Sequence, residues 1–144
     1  MIQVVSTGEG LRAALRLLEE TLRSGDALPE SFVVRLQAAV DSGAMEVLAA
    51  VEQEDVVGVL VLSYRLGISA GSYFASIEEL YVKPNARRLG VGRALLETAG
   101  SRFARRGVSY VEVQAVDESA EAFYSAGGYS REEEVRVMSR AYVL

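Results

Sequence analysis

The chain of 144 residues contains no cysteine and no histidine. Their absence excludes disulfides, thiolate nucleophiles, Cys/His zinc sites and imidazole general bases. Acid–base chemistry is then left to carboxylates, tyrosine, lysine or water. We expect no metal site.

The sequence also lacks long apolar runs and an excess of basic residues. No run approaches the ~20 residues that a membrane-spanning helix needs, and residues 1–5 lack the regions of a signal peptide. Fifteen Lys and Arg against twenty Asp and Glu give a net charge of -5, the wrong sign for general attraction to nucleic acid. We expect a cytoplasmic protein of one domain, residues 1–144, with no nucleic acid or membrane partner.

Short periodic groups of apolar residues predict alternating helices and strands. The predicted elements are a strand at 2–5, a helix ending near Ser24, a helix between Pro29 and Gly43, strands at 45–51, 56–62 and 73–82, a helix at 92–106, a strand at 110–116, a helix at 119–126 and a strand at 135–143. Ser6 and Glu9 fit a capping box for the first helix. This order indicates an α/β domain with a mixed sheet.

Two adjacent glutamates interrupt the third predicted strand of the central region. Strict alternation gives two faces, with Glu78, Leu80 and Val82 on one and Ile77, Glu79 and Tyr81 on the other. Only one glutamate can therefore face a cleft, unless the strand bulges.

Residues 86–95 place cations at the start of a predicted helix. Arg87 and Arg88 precede the Gly90-Val91-Gly92 segment, and Arg93 follows it. Cations are unfavourable at this end of a helix dipole, but the free amides of a first turn bind phosphate well. The segment therefore predicts a phosphorylated ligand. Its spacing matches neither the Walker loop nor the dinucleotide fingerprint.

Residues 82–95 (VKPNARRLGVGRAL) resemble a longer pattern, the V-x-P-x-x-[RQ]-x-x-G-x-[GA]-x-x-L loop of the GNAT superfamily of acyl-CoA-dependent N-acetyltransferases. In that family the loop amides hold the pyrophosphate of coenzyme A. Arg87, Gly90 and Gly92 fall on its signature positions. Arg88 stands where many members have glycine, which leaves the backbone conformation at residue 88 open.

A second segment, residues 117–129, resembles the family's N-x-x-A-x-x-F-Y-x-x-x-G-[FY] motif. Asp117 replaces the asparagine, and its preferred interpretation is the N-cap of the following helix. Tyr124 matches the family's general acid, which protonates the departing thiolate. The alternative for Tyr124 is packing beside Phe123.

The resemblance implies a GNAT-like α/β fold: a mixed, mostly antiparallel sheet of six to seven strands, about four helices, and splayed central strands. It also implies direct transfer of an acetyl group from acetyl-CoA to a primary amine of a small molecule or peptide, within a ternary complex. Pantetheine would add to the backbone of residues 80–82 like an extra strand. The residues implied for coenzyme A binding are Leu80, Tyr81, Val82, Arg87, Arg88, Leu89, Gly90, Val91, Gly92, Arg93 and Ala94.

Several alternatives remain open at this point. Polyamine-type members of the family have an acid at the position of Glu78, which makes it the first candidate base, with Glu79 second. Each glutamate could instead be a solvated strand carboxylate. The chain could also be an acyl-CoA-binding module without catalysis, and it could form a homodimer. The net acidity and the glutamate-rich strand lean toward polyamine-like or aminoglycoside-like cations as acceptors, with protein N-termini and lysines as the alternatives.

Overall fold

One five-stranded sheet carries the fold in the computed structural model, which describes residues 1–143. Its strands are β1 (Ile2–Val4), β2 (Met45–Glu52), β3 (Asp55–Gly67), β4 (Ser72–Val82) and β5 (Val108–Val113). They lie side by side in chain order, and every pair is antiparallel except β4 with β5, which is parallel. The expected mixed, mostly antiparallel sheet is confirmed, but the expected number of six to seven strands is wrong.

The missing strand is the one predicted at residues 135–143, where the structure has no strand. Val135 and Val137, which carry the alternating pattern, are 60% and 69% exposed. Alternation indicates a face that could be buried, whereas a strand also needs a neighbour to satisfy its backbone groups. The pattern alone does not supply that neighbour.

Four helices accompany the sheet, as expected. They are α1 (Gly8–Leu22), α2 (Glu30–Asp41), α3 (Val91–Arg105) and α4 (Glu118–Ala126), and a single 3₁₀ turn covers Pro84–Ala86. The predicted capping box of α1 does not form, because the N-cap is Thr7 and its side chain makes no capping bond. Glu9 is then the second residue of the helix, one position too early for the reciprocal bond. No helix within residues 1–143 is long and apolar enough to cross a membrane.

Helices α1 and α2 cover one face of the sheet. The predicted α1 stripe is largely correct, since Leu11, Leu15 and Leu18 are buried against Val59 and Val61 of β3, while Leu22, at the end of the helix, is 54% exposed. Helix α3 buries its own apolar face, which is formed by Leu95, Leu96, Ala99 and Phe103.

The chain divides into two compact units. Residues Met1–Gln114 form the first, which contains the whole sheet and helices α1 to α3. The second begins at Ala115 and contains α4.

Candidate active site

A β-bulge interrupts β4 at Glu78. Ile77 pairs with Leu62 of β3, and Glu79 pairs with the adjacent Val61, so Glu78 has no partner on β3. An extra residue of this kind shifts the alternation of the strand by one. Ile77 and Glu79 therefore lie on opposite faces of the sheet.

This shift corrects the faces expected for β4. Tyr81 packs against the apolar cluster formed by α1, α2 and the sheet, and Glu79 lies on the same face because it is two residues away. Simple alternation had predicted that Ile77 shares this face, but the bulge places Ile77 on the opposite one. The bulge thus places Glu79 on the face covered by the two N-terminal helices.

The surroundings of Glu79 favour its protonated form. Glu79 is exposed, but partial desolvation raises its pKa above the ordinary value, and the negative charge of the neighbouring Glu78 adds to this rise. Proton transfer near neutral pH is most efficient when the pKa of the base is raised towards the working pH. The raised pKa makes Glu79 a candidate base.

The far end of β4 is open on the side of β5. The two strands pair only from Tyr73 to Ile77, where β5 ends at Val113, whereas β4 continues to Val82. The resemblance implied splayed central strands, and this is the point at which their pairing stops.

The backbone of β4 presents hydrogen-bonding groups at this open edge. The Lys83 N–H donates to the Val57 carbonyl of β3 at 2.8 Å. Because backbone groups of successive residues point to opposite edges, those of Leu80 and Val82 point away from β3. An extended chain of amides could pair with these groups as an added strand.

Two residues in the loop after β4 have left-handed backbone conformations. Arg88 has φ = +64°, and Gly90, the N-cap of α3, has φ = +83°. The conformation at residue 88 is thus the one that favours glycine, which the family motif often has there. Arginine adopts it at a cost on the order of 1 kcal/mol.

The first turn of α3 offers unpaired backbone donors. No side chain caps this end of the helix, and its first turn contains no acidic residue. The first bond inside the helix runs from the Ala94 N–H to the Gly90 carbonyl at 2.9 Å. The N–H groups of residues 91–93 precede that bond and are available to an anion.

The basic residues around the loop fall into two groups. Lys83 pairs with Asp55 at 3.1 Å. Arg87 donates through Nε to the Val82 carbonyl at 2.9 Å, and its guanidinium lies 5.4 Å from the centre of the Tyr81 ring. These two cations are therefore held against β3 and β4.

Arg88 and Arg93 form the other group. Both are exposed, and neither makes an ion pair with any residue from 1 to 143. Exposed guanidinium groups beside free helix amides match the geometry of phosphate. They are therefore candidates to bind an anion at this loop.

In the second unit, α4 holds Tyr124 and is capped by Asp117. The Asp117 carboxylate accepts the Ala120 N–H at 2.7 Å, which confirms the predicted N-cap. Tyr124 is buried, and its ring lies 5.1 Å from that of Phe123 and 5.8 Å from that of Tyr129. The aromatic packing expected as an alternative is thus present, and a catalytic role for Tyr124 stays a prediction.

Residues 11–129 match the Acetyltransferase (GNAT) family. The chain belongs to this family. No curated protein matches the chain in sequence. Members of the GNAT family use acetyl-CoA as co-substrate.

Solved structures agree with the GNAT assignment. An aminoglycoside acetyltransferase, meta-AAC0020, from an uncultured soil metagenomic sample is 25% identical, with a TM-score of 0.82 over 100% of this chain and 95% of that chain. A ribosomal-protein-alanine N-acetyltransferase from Brucella melitensis is 19% identical, with a TM-score of 0.73 over 97% and 99%. A protein described as a transcriptional regulator from Bacillus halodurans is 22% identical, with a TM-score of 0.77 over 99% and 100%. The last two likenesses concern the fold alone.

The GNAT fold of this chain also contains a buried ionic cluster that the sequence did not predict. Glu46 of β2 is 7% exposed and accepts hydrogen bonds from Tyr64 and Arg102, and Arg106 lies 3.6 Å away. The Arg106 guanidinium also lies 3.7 Å from the Tyr64 ring centre and donates to the Gly43 carbonyl. The cluster ties the C-terminal end of α3 to β2 and β3.

The pKa values in this cluster follow from its pairing. Burial alone would raise the pKa of Glu46, but the hydrogen bonds from Arg102 and Tyr64 outweigh it and lower the pKa. Burial and the neighbouring carboxylate raise the pKa of Tyr64. A glutamate within an otherwise apolar strand was the one available signal, and its partners lie too far away in sequence to be recognised.

Proposed function

We propose that this GNAT protein is an N-acetyltransferase that transfers the acetyl group of acetyl-CoA directly to a primary amine in a ternary complex. The observation that carries the proposal is the combination, within one unit, of an uncapped helix start, an open strand edge and an exposed glutamate, Glu79, whose pKa is raised. These three features suit the phosphates, the pantetheine amides and the reacting amine respectively.

Coenzyme A fits the residues of the first unit. The amides of Val91, Gly92 and Arg93 would receive the pyrophosphate, with Arg88 and Arg93 as its cations. The backbone of Leu80 and the Val82 N–H would pair with pantetheine. The Val82 carbonyl already accepts a bond from Arg87, so this group would be shared or released.

Glu79 is the base in this proposal, in place of Glu78, which the sequence had favoured. Its carboxylate takes a proton from the ammonium group of the acceptor, and the neutral nitrogen attacks the thioester carbonyl carbon. A backbone N–H of the open β4 edge stabilises the oxyanion. As the C–S bond breaks, the thiolate takes up a proton, which the resemblance assigns to Tyr124.

The acceptor we favour is a cationic amine. The net charge of -5 and the two adjacent glutamates on β4 support a positively charged substrate. The likeness to an aminoglycoside acetyltransferase, at 25% identity, supports the same choice. Aminoglycosides and polyamines are thus the first compounds to test.

A panel of amines tests the activity. Purified protein is mixed with acetyl-CoA and, in turn, an aminoglycoside, spermidine, a peptide with a free N-terminus and a lysine peptide with a blocked N-terminus, and the release of free thiol is measured. We expect amine-dependent thiol release with at least one cationic acceptor. Coenzyme A binding without thiol release across the panel would indicate the alternative, a non-catalytic acyl-CoA-binding module.

Tyr124→Phe tests the proposed acid. We expect turnover to fall by about tenfold or more, because thiolate must leave without a proton donor, while the Kd for acetyl-CoA changes little. Phe123→Leu is the matched control, since it alters the aromatic packing and keeps the phenol. Unchanged turnover in Tyr124→Phe would remove this residue from the mechanism.

A further inference from the structure

Gly58 of β3 lies beneath the first turn of α3, where an added side chain would be crowded. A methyl group at this position would lie 3.1 Å from Leu95 Cδ1, 3.2 Å from Val91 Cγ1 and 3.3 Å from the Tyr81 carbonyl oxygen. Ordinary van der Waals contacts begin at 3.4 Å. A Cβ at residue 58 would therefore require the helix, the strand or their side chains to move by a few tenths of an ångström.

The backbone conformation at residue 58 does not require glycine. Its φ does not lie in the left-handed region, in contrast with Gly90 at +83°. An L-residue can therefore adopt the local backbone conformation. Its Cβ would be disfavoured only by the close neighbours above the sheet. Any effect of a substitution at Gly58 must then come from displaced neighbours.

Those neighbours belong to two separate parts of the proposed coenzyme A site. Gly58 pairs with Val82, at the open end of β4. It contacts α3 through Val91, the residue that follows the N-cap Gly90. One position thus adjoins both the strand edge proposed for pantetheine and the helix turn proposed for the pyrophosphate.

We propose that Gly58 is a positioning residue that sets the distance between the pyrophosphate loop and the pantetheine edge of β4. This inference rests on the proposed function, because it needs one ligand that spans both parts. A ligand with two linked contacts loses affinity when their separation no longer matches its own length. A fragment that contacts one part alone is unaffected by that separation.

Gly58→Ala tests this role with two probes, coenzyme A and ADP, each measured by calorimetry. The methyl group pushes the first turn of α3 outward by a few tenths of an ångström. We expect coenzyme A affinity to fall on the order of tenfold, while ADP affinity changes by less than about twofold. Gly100→Ala is the matched control, because Gly100 lies within α3 and a methyl group there meets nothing within 4 Å.

A second substitution checks the cause. In the Gly58→Ala background, Val91→Ala removes one of the three close contacts, and we expect part of the coenzyme A affinity to return. If Gly58→Ala does not fold, Val91→Ile adds bulk from the helix side of the same contact and should shift the ratio of the two affinities in the same direction.

The outcomes separate this inference from the proposed function. Failure of the wild-type protein to bind coenzyme A would contradict the proposed function. If the wild type binds coenzyme A, then equal losses of coenzyme A and ADP affinity in Gly58→Ala, or no loss of either in the folded variant, would overturn the role of Gly58.

Discussion

The two ends of helix α3 are built in opposite ways. At the C-terminal end, Arg102 and Arg106 meet the buried Glu46, and no buried side-chain polar atom among residues 1–143 lacks a partner. At the N-terminal end, the amides are uncapped, and Arg88 and Arg93 have no ion pair within the described residues. One end is completed by the protein itself, whereas the other has the groups that a phosphorylated ligand would complete.

Two glutamates of the same sheet, Glu46 and Glu79, differ in the same way: among the residues that the structure describes, one is paired within the protein, and the other is not. Hydrogen bonds from Arg102 and Tyr64 lower the pKa of Glu46, whereas partial desolvation and the adjacent Glu78 raise the pKa of Glu79. A paired carboxylate stabilises the fold, and an unpaired one close to a strand edge is free to exchange a proton. One end of the helix and one carboxylate are thus paired within the protein, whereas the other end and the other carboxylate are the ones to which we assign the proposed chemistry.

The largest expected effect is on stability, from Glu46→Ala. Removing this carboxylate leaves Arg102 and Arg106 partly buried without their partner, and we expect the free energy of unfolding to fall by about 3 kcal/mol. Urea denaturation measures the change. Glu97→Ala, an exposed change on α3, is the control and should stay within about 0.5 kcal/mol of wild type. A loss below about 1 kcal/mol in Glu46→Ala would show that the cluster does not anchor the helix.

The pH dependence of stability has a definite sign for Glu46. Because its pKa is lowered in the folded protein, its contribution is present above the ordinary carboxylate pKa and is lost as the pH falls through the lower value. The difference in stability between wild type and Glu46→Gln should therefore shrink on acidification. A difference that stays constant down to low pH would contradict this assignment.

The next effect is on catalysis, from Glu79→Gln. We expect kcat to fall by about 100-fold, because the amide cannot take the proton of the acceptor. Since the raised pKa of Glu79 depends partly on Glu78, Glu78→Gln should keep activity and move the acidic limb of the pH–rate profile to lower pH. Both profiles are measured with the best acceptor of the panel. An acidic limb retained unchanged in both variants would exclude a carboxylate base on β4.

A smaller effect distinguishes the two groups of arginines. Arg93→Gln should weaken coenzyme A binding by about tenfold at low salt and make the remaining affinity less sensitive to salt, because a phosphate contact is lost. Arg87 is already bound to the Val82 carbonyl, so Arg87→Gln should leave the salt sensitivity near that of wild type. Calorimetric titration at several salt concentrations measures both. Equal reductions in salt sensitivity would show that Arg87 also contacts the phosphates.

The smallest expected effect is a gain in stability from Arg88→Gly. Glycine adopts the left-handed conformation without strain, and after its own entropic cost we expect a gain of about 0.5 kcal/mol. Arg88→Ala is the matched control, because it also removes the charge but keeps a Cβ at φ = +64°. Thermal unfolding of the two variants gives the comparison. If alanine stabilises the protein as much as glycine, charge repulsion and not backbone strain is the cause.

Local patterns predicted much of the fold and of the loop. The four helices, the β2–β3 hairpin and the Asp117 cap depend on periodicity and on neighbours a few residues away, and they are present in the structure. The predictions were wrong where the structure depends on pairing with a neighbouring strand. The alternation at 135–143 has no strand, and the expected faces of β4 missed the bulge at Glu78.

The sequence by itself therefore determined the GNAT motif, the order of elements and the set of residues available for chemistry, because these depend on residue type and spacing along the chain. Only the tertiary structure decided which glutamate has a raised pKa, which arginines are unpaired and where an added Cβ would crowd its neighbours. These properties arise from contacts between residues far apart in sequence, such as Glu46 with Arg102 or Gly58 with Val91. Burial and pairing exist only once those residues have been brought together.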